Sequence, residues 1–100
     1  MLKHIVMWNY AENFSDAENA ANAQKIKHDL EALVALDGVI EMKVRINELP
    51  YSNTDIMLDS TFESEEALNA YKIHPAHVAA AEFITTALKN RTCFDWTSCE

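Results

Sequence analysis

Glycine and proline are scarce in this 100-residue chain, which contains one glycine and two prolines. Such a composition, with 49% hydrophobic residues, excludes linker-rich, collagen-like and disordered proteins. A single glycine also excludes the glycine-rich loops that cradle phosphate groups. One hundred residues can bury one hydrophobic core, so we expect a single domain over residues 1–100.

Positively charged residues are also few. The chain has 8 lysines and arginines against 16 aspartates and glutamates, which gives a net charge of -8. Nucleic acids and anionic membrane surfaces require concentrated positive charge, so we expect neither as a partner. No apolar run reaches the roughly 18 residues of a membrane span, and the N-terminal segment lacks the cleavage site of a signal peptide. These features predict a cytoplasmic protein.

The two cysteines, Cys93 and Cys99, are too few for a disulfide scaffold and lack the CxxC spacing of zinc sites. The pattern favours a half-buried free Cys93 and a frayed Cys99, with a disulfide between them as the alternative. A metal site needs three or four converging nitrogen, oxygen or sulfur ligands, and the spacing identifies no such set. We therefore expect no metal site and no cofactor.

The hydrophobic pattern divides the chain into four strands and two helical units. Helical spacing predicts a first helix over Ala17 to Leu36, and a second unit from Ser64 that is broken before Pro75 and continues to Asn90. Alternation and β-branched residues predict the strands Leu2 to Asn9, Val39 to Asn47, Asp55 to Glu63 and Arg91 to Thr97. The order β-α-β-β-α-β predicts an α+β, ferredoxin-like split βαβ fold, with a four-stranded antiparallel sheet and its helices on one face.

Alternation along the strands also assigns the two faces of the sheet. The apolar face, predicted to meet the helices, includes His4 and, on the last strand, Phe94 and Trp96. The other face mixes charged and apolar residues and includes Cys93 and Asp95. Apolar residues on such a face favour docking on a second sheet over exposure to solvent. We therefore predict a homodimer through the face that carries Ile5, Met7, Lys43, Arg45 and Met57.

Three side chains that can exchange protons are predicted to meet in the layer between sheet and helices. His4 comes from the first strand, His77 begins the apolar stripe after the helix break, and Tyr71 points toward that break. A histidine with a pKa near 6.5 can give or take a proton at neutral pH, and a tyrosine hydroxyl can stabilise an oxyanion. His77, Tyr71 and His4 are therefore candidate catalytic residues, with a hydrogen-bonded structural role as the alternative for each.

An apolar pocket around these groups would hold a small apolar or aromatic ligand. Its predicted walls are Val6, Trp8, Ile56, Leu58, Val78 and Phe94. His74 precedes a proline at a helix boundary, so it is predicted to be an exposed capping residue. His28 lies on the polar side of the first helix and is predicted to be solvated.

Three segments of the chain, "KHIVMW", "FESEEALNAYKIHPAHVAAAEF" and "RTCFDW", resemble the stress-responsive A/B barrel domain family of the dimeric α+β barrel superfamily. The likeness covers essentially the whole chain, and the Tyr-x-x-His-Pro-x-His segment is its most specific part. It implies a ferredoxin-like monomer that pairs sheet to sheet into a barrel. It also implies a pocket between the sheet and the helices of each subunit.

The resemblance implies several functions. Most members have no assigned activity, which favours a small dimeric protein that binds a small molecule, with a purely structural dimer as another alternative. A polyketide-cyclase branch uses a tyrosine and histidines for an intramolecular aldol closure, and these fall on Tyr71, His4 and His77. A further histidine of that branch corresponds to Ile56 here. Cofactor-free or haem-dependent oxygenase chemistry is a third alternative, from fold analogy alone.

Overall fold

The computed structural model of the chain describes residues 1–98. The predictions for Cys99, including a disulfide with Cys93, lie outside the described residues. The elements follow the predicted order, with the second helical unit divided at His74: β1 Leu2–Tyr10, α1 Asp16–Glu31, β2 Val39–Ile46, β3 Ile56–Phe62, α2 Glu65–Ile73, α3 Pro75–Ala87 and β4 Leu88–Thr97. The ferredoxin-like fold is therefore confirmed.

The four strands form one antiparallel sheet in the order β2-β3-β1-β4. Burial alternates along the central strand β1, where Val6 and Trp8 are buried whereas Ile5 and Met7 are only half-buried. The helices therefore cover one face, called the inner face below, and leave the other, called the outer face, uncovered. No helix in residues 1–98 has both the length and the apolar character needed to cross a membrane.

Polar side chains fix the start of each helix. Ser15 and Glu18 form a capping box at α1, and the Ser64 hydroxyl accepts a hydrogen bond from the backbone N–H of Ala67 at α2. His74 is exposed and accepts a bond from the N–H of Ala76, with Pro75 at the first position of α3. The prediction of His74 as a capping residue is confirmed.

Two element ends differ from the prediction. α1 ends at Glu31 and tightens into a 3-10 helix over residues 32–35, whose narrower pitch buries Leu33 but leaves Val34 exposed. The pairing of β2 with β3 shifts register between Val39 and Glu41, and Ile40 within that irregularity is 45% exposed, although alternation along the strand places it on the apolar face.

The predicted face of β4 was wrong. Cys93 pairs with Val6 and Asp95 with His4, so both residues of β4 lie on the inner face, because paired residues of antiparallel strands point to the same side. Phe94 pairs with Ile5 and lies on the outer face, 64% exposed. Trp96 shares that face at 44% exposed.

The physical reason for this error is the start of β4. The helix before it ends at Ala87, three residues earlier than predicted, and Asn90 adopts a positive φ of 57°. The pairing with β1 also shifts register between Met7 and Asn9. This irregular start therefore decides which residues of β4 point to the inner face. Hydrophobicity alone predicts that the large aromatic side chains point there.

Candidate functional site

A cavity of about 290 Å³ lies between the inner face and α3, at the end of the sheet formed by β1 and β4. Its apolar walls include Val6, Trp8 and Leu58 from the sheet and Ala81 and Ile84 from α3. Its polar lining includes the predicted candidates His4, Tyr71 and His77, together with Thr85, Lys89, Asn90 and Arg91 from the end of α3 and the start of β4. The structure therefore brings together the three groups that the sequence indicated.

The predicted pocket walls are only partly found there. Val6, Trp8 and Leu58 line the cavity. Ile56 is 2% exposed and belongs to the packed core beyond it, whereas Val78 is 42% exposed. Phe94 lies on the outer face, so its prediction as a pocket wall was wrong.

A wider groove of about 760 Å³ lies between α1 and the β2–β3 hairpin. Its lining includes Lys27, Arg45 and Asp55, but none of the three predicted proton-transfer residues. The smaller cavity is therefore the better candidate site, because it brings His4, Tyr71 and His77 together with apolar walls.

Tyr71 supplies the cavity with a buried hydroxyl. Its ring packs edge-on against Phe62, with ring centroids 4.9 Å apart, and lies tilted 4.4 Å from the His77 ring. The residue is 3% exposed, and its hydroxyl has no hydrogen-bond partner among residues 1–98. Burial raises the pKa of the phenol, so it is neutral at pH 7. Tyr71 is therefore an unsatisfied hydrogen-bond donor at the cavity wall.

His77 lies in the first turn of α3, and its Nδ1 lies 3.0 Å from the backbone carbonyl oxygen of Lys72. Because a carbonyl can only accept, Nδ1 carries the proton and donates it, which places the lone pair of the neutral ring on Nε2. Burial lowers the pKa of His77, against the opposing effect of that hydrogen bond. At neutral pH the residue can therefore act as an acceptor or a base through Nε2.

His4 is held by a carboxylate. Its Nδ1 lies 2.5 Å from Oδ1 of Asp95, and the residue is only 3% exposed. Burial lowers the pKa of His4, while the Asp95 carboxylate acts in the opposite direction. Burial acts to raise the pKa of Asp95, but hydrogen bonds from His4 and Cys93 hold that pKa below its usual value. Neutral His4 therefore donates from Nδ1 and carries its lone pair on Nε2.

Asp95 and Cys93 are the site residues that the sequence reasoning missed. The Cys93 thiol lies 3.3 Å from Asp95 Oδ1 and 3.8 Å from His4 Nδ1. The available signal was their spacing, since residues two apart on a strand share a face. Their side of the sheet could not be recognised until the pairing of β4 with β1 was known.

Together His4, Tyr71 and His77 offer one buried donor, the Tyr71 hydroxyl, and two imidazole acceptors in a cavity with both apolar and polar walls. Such a set can orient an oxygen-bearing apolar ligand. It can also carry out general acid–base chemistry, because neutral imidazole accepts a proton while the phenol stabilises an oxyanion.

Comparison with known proteins gives a family and a fold. The family model of the Stress responsive A/B Barrel Domain matches residues 2–98. None of the curated proteins matches the chain. Among solved structures, a dimeric protein of unknown function with a ferredoxin-like fold from Bacteroides fragilis is 27% identical, with a TM-score of 0.88 over 95% of this chain and 93% of that chain.

Two more distant structures share the fold. A protein of the same family from Mesorhizobium loti is 17% identical, with a TM-score of 0.75 over 99% of this chain and 97% of that chain. A Nitrosomonas europaea protein, provisionally assigned as an antibiotic biosynthesis monooxygenase, is 11% identical, with a TM-score of 0.79 over 100% of both chains. At these identities the likeness shows the fold alone.

Proposed function

Because the chain belongs to the stress-responsive A/B barrel domain family, we propose that it binds a small, largely apolar, oxygen-bearing molecule in the cavity between the sheet and α3. The observation that carries this proposal is Tyr71, which lines the cavity and whose hydroxyl is buried without a partner among residues 1–98. An unsatisfied buried donor costs about 1–3 kcal/mol. A ligand oxygen within reach of the hydroxyl would remove that cost.

The size and lining of the cavity narrow the class of ligand. Its volume of about 290 Å³ lies at the lower end of the range for small-molecule sites. Its walls include Val6, Trp8 and Leu58, which favour a hydrocarbon or aromatic body. We therefore infer a ligand such as an aromatic ketone, a phenol or a short acyl compound.

We also propose that two copies of the chain pair through their outer faces. Phe94 and Trp96 are exposed there and contact each other, with ring centroids 5.8 Å apart. The predicted interface residues on this face are Ile5, Met7, Lys43, Arg45 and Met57, and the two aromatics extend that set. The related Bacteroides fragilis protein, which is itself dimeric, supports the pairing.

The two tryptophans of the chain give a direct test of the ligand proposal, because Trp8 lines the cavity and Trp96 lies on the outer face. NMR of isotope-labelled protein would follow both indole N–H signals during titration with methyl naphthyl ketone, with Trp96→Phe and Trp8→Phe variants to assign them. We expect a saturable shift of the Trp8 signal and little change at Trp96. A Trp8 signal that does not move would contradict the proposal.

A second candidate function is an aldol-type cyclase or isomerase, which the presence of two neutral imidazoles and one phenol in the lining of the same cavity favours. His77 Nε2 would accept a proton from the carbon beside a substrate carbonyl. Tyr71 would donate a hydrogen bond to the carbonyl oxygen as negative charge develops there, and His4, oriented by Asp95, would assist. The enolate would then attack a second carbonyl, forming a carbon–carbon bond and an alkoxide that takes up the proton.

Proton abstraction can be measured before the natural substrate is known. In heavy water, an enzyme of this kind would speed deuterium incorporation at the methyl group of methyl naphthyl ketone. His77→Gln should abolish the acceleration, whereas His28→Gln, on exposed α1 surface, should retain it. Exchange no faster than in buffer would reject the enzyme proposal and leave the binding proposal standing.

A further inference from the structure

We propose that His4, Cys93 and Asp95 form a binding site for one divalent transition-metal ion, with Zn²⁺ as the best match. The three side chains offer an imidazole nitrogen, a thiol sulfur and a carboxylate oxygen. These three ligand atoms all lie within 4.8 Å of one another. The metal site shares His4 with the cavity, but it uses the Nδ1 atom of that residue and two side chains, Cys93 and Asp95, that do not line the cavity.

The sheet itself brings the three ligands together. His4 pairs with Asp95 across β1 and β4, and Cys93 lies two residues before Asp95 on the same face. Two neighbouring antiparallel strands therefore present three ligands from a hydrogen-bonded framework. His4 is buried, whereas Cys93 is exposed and the Asp95 side chain is 33% exposed. An ion can therefore reach the cluster from solvent.

The distances are close to those that a tetrahedral ion requires. With zinc bonded at about 2.0–2.3 Å, neighbouring ligand atoms stand roughly 3.3–3.6 Å apart. The sulfur of Cys93 lies 3.8 Å from His4 Nδ1 and 3.3 Å from Asp95 Oδ1, close to that range. The His4–Asp95 contact is shorter, at 2.5 Å, because Nδ1 donates a hydrogen bond to the carboxylate. The ion would take the place of the proton in that hydrogen bond, with an outward shift of the half-exposed carboxylate by about 1 Å.

The charges of the cluster suit a divalent ion. Binding would release the Cys93 thiol proton, while the Nδ1 proton of His4 would be lost to solvent and a proton taken up at Nε2. A thiolate and a carboxylate then balance the two positive charges, so no net charge is buried. Lys72 and Arg91 lie close enough to affect the same groups electrostatically, and they oppose the ion.

The ligand types distinguish among metals. A thiolate combined with an imidazole favours zinc and neighbouring transition metals, whereas calcium and magnesium prefer oxygen ligands. Three protein ligands leave a fourth position for water, as in zinc sites that are not purely structural. Coordination through Nδ1 would also leave the proton on Nε2, so His4 would change from an acceptor into a donor.

Cobalt(II) gives the site a direct spectroscopic test, because a thiolate ligand produces a sulfur-to-cobalt charge-transfer band in the near ultraviolet. We would titrate the reduced full chain with Co²⁺ and then add Zn²⁺. We expect the band to saturate at one ion per chain and to disappear when zinc displaces cobalt. The Cys99→Ser variant serves as the matched control and should behave as the native chain.

Two variants identify the ligands. Cys93→Ser should abolish the band, and Asp95→Asn should weaken cobalt binding by about tenfold or more, both with unchanged circular dichroism. Competition with Zn²⁺ gives the affinity of each variant without use of the band. Absence of the band in the native chain would overturn the proposal. A band that survives Cys93→Ser but is lost in Cys99→Ser would also overturn it, because the thiol ligand would then be Cys99.

Discussion

The two faces of the sheet are formed by the same four strands but differ in how their polar groups are buried and paired. On the inner face the buried polar side chains have defined partners: His4 bonds to Asp95, and the Ser60 hydroxyl donates to the backbone carbonyl of His4 at 2.6 Å. On the outer face the charges pair at the surface, with Lys3 Nζ 3.3 Å from Asp59. Large aromatic side chains lie exposed beside them. The inner face therefore carries the buried, hydrogen-bonded polar groups, and the outer face carries surface ion pairs beside exposed aromatic side chains.

The packing against the inner face differs between its two halves. Under β2 and β3 it is filled by apolar side chains, including Met42, Val44 and Ile56. Under β1 and β4 the packing opens into the cavity, where His4, Tyr71 and His77 meet. The three proton-transfer groups thus line one cavity under β1 and β4, whereas the wider groove at β2 and β3 contains none of them.

The largest effect is expected on the outer face. Phe94→Asp would place a charge where we propose that two copies meet, and we expect the dimer dissociation constant to rise by about 100-fold, which corresponds to about 2.7 kcal/mol. Analytical ultracentrifugation over a concentration series would measure it. Ile73→Asp, at a 79% exposed site on α2, is the matched control and should leave assembly unchanged. An unaltered dimer in Phe94→Asp would assign the pairing to another surface.

The next prediction concerns Asp95, the hydrogen-bond partner of His4. Asp95→Asn removes the carboxylate that accepts the His4 proton, and we expect the free energy of unfolding to fall by about 1 kcal/mol at pH 7, because the group is partly exposed. Chemical denaturation at fixed protein concentration would measure this loss. Stability equal to that of the native chain would mean that the His4–Asp95 bond contributes little to the fold.

The free energy of unfolding should also depend on pH, because the cavity at the inner face contains the titratable side chains of His4 and His77. Burial lowers the pKa of His4 and His77 in the folded chain, so below about pH 6.5 the unfolded chain binds more protons. The free energy of unfolding should therefore fall as the pH decreases from 7 through the folded-state pKa values of the two histidines. The His77→Gln variant should show a shallower fall. Stability that is constant or rises on acidification would contradict the neutral state of these imidazoles.

The smallest effect is expected at Tyr71. Its hydroxyl has no partner among residues 1–98, so Tyr71→Phe removes an unsatisfied group while keeping the ring that packs on Phe62. We expect the free energy of unfolding to stay the same or to rise by about 0.5–1 kcal/mol. Thermal and chemical unfolding would both report it. A loss above about 1 kcal/mol would show that the hydroxyl stabilises the fold.

The sequence predicted the fold well because its signals are local. Helical spacing, the Ser64 cap and the His74-Pro75 break are each carried by neighbouring residues. The three candidate polar residues followed from the same patterns, since each lies on a regular element. These predictions did not depend on which strands pair with each other.

The missed residues depended on non-local structure. The side of the sheet on which Asp95 lies is set by the irregular start of β4 at Asn90 and by pairing with a strand some ninety positions earlier. Hydrophobicity predicted a buried Phe94, because the pattern of one chain cannot distinguish a core position from an exposed apolar position on the surface. The His4–Asp95 bond was therefore not predictable from the sequence alone.

The most direct test of the central claim, that Tyr71 holds a ligand oxygen, is a double comparison of affinities. Isothermal titration calorimetry would measure binding of methyl naphthyl ketone and of ethylnaphthalene, which lacks the oxygen, to the native chain and to Tyr71→Phe. We predict that the substitution weakens ketone binding by about fivefold or more, near 1 kcal/mol, and leaves hydrocarbon binding unchanged. Equal ketone affinities for the two proteins would contradict the claim.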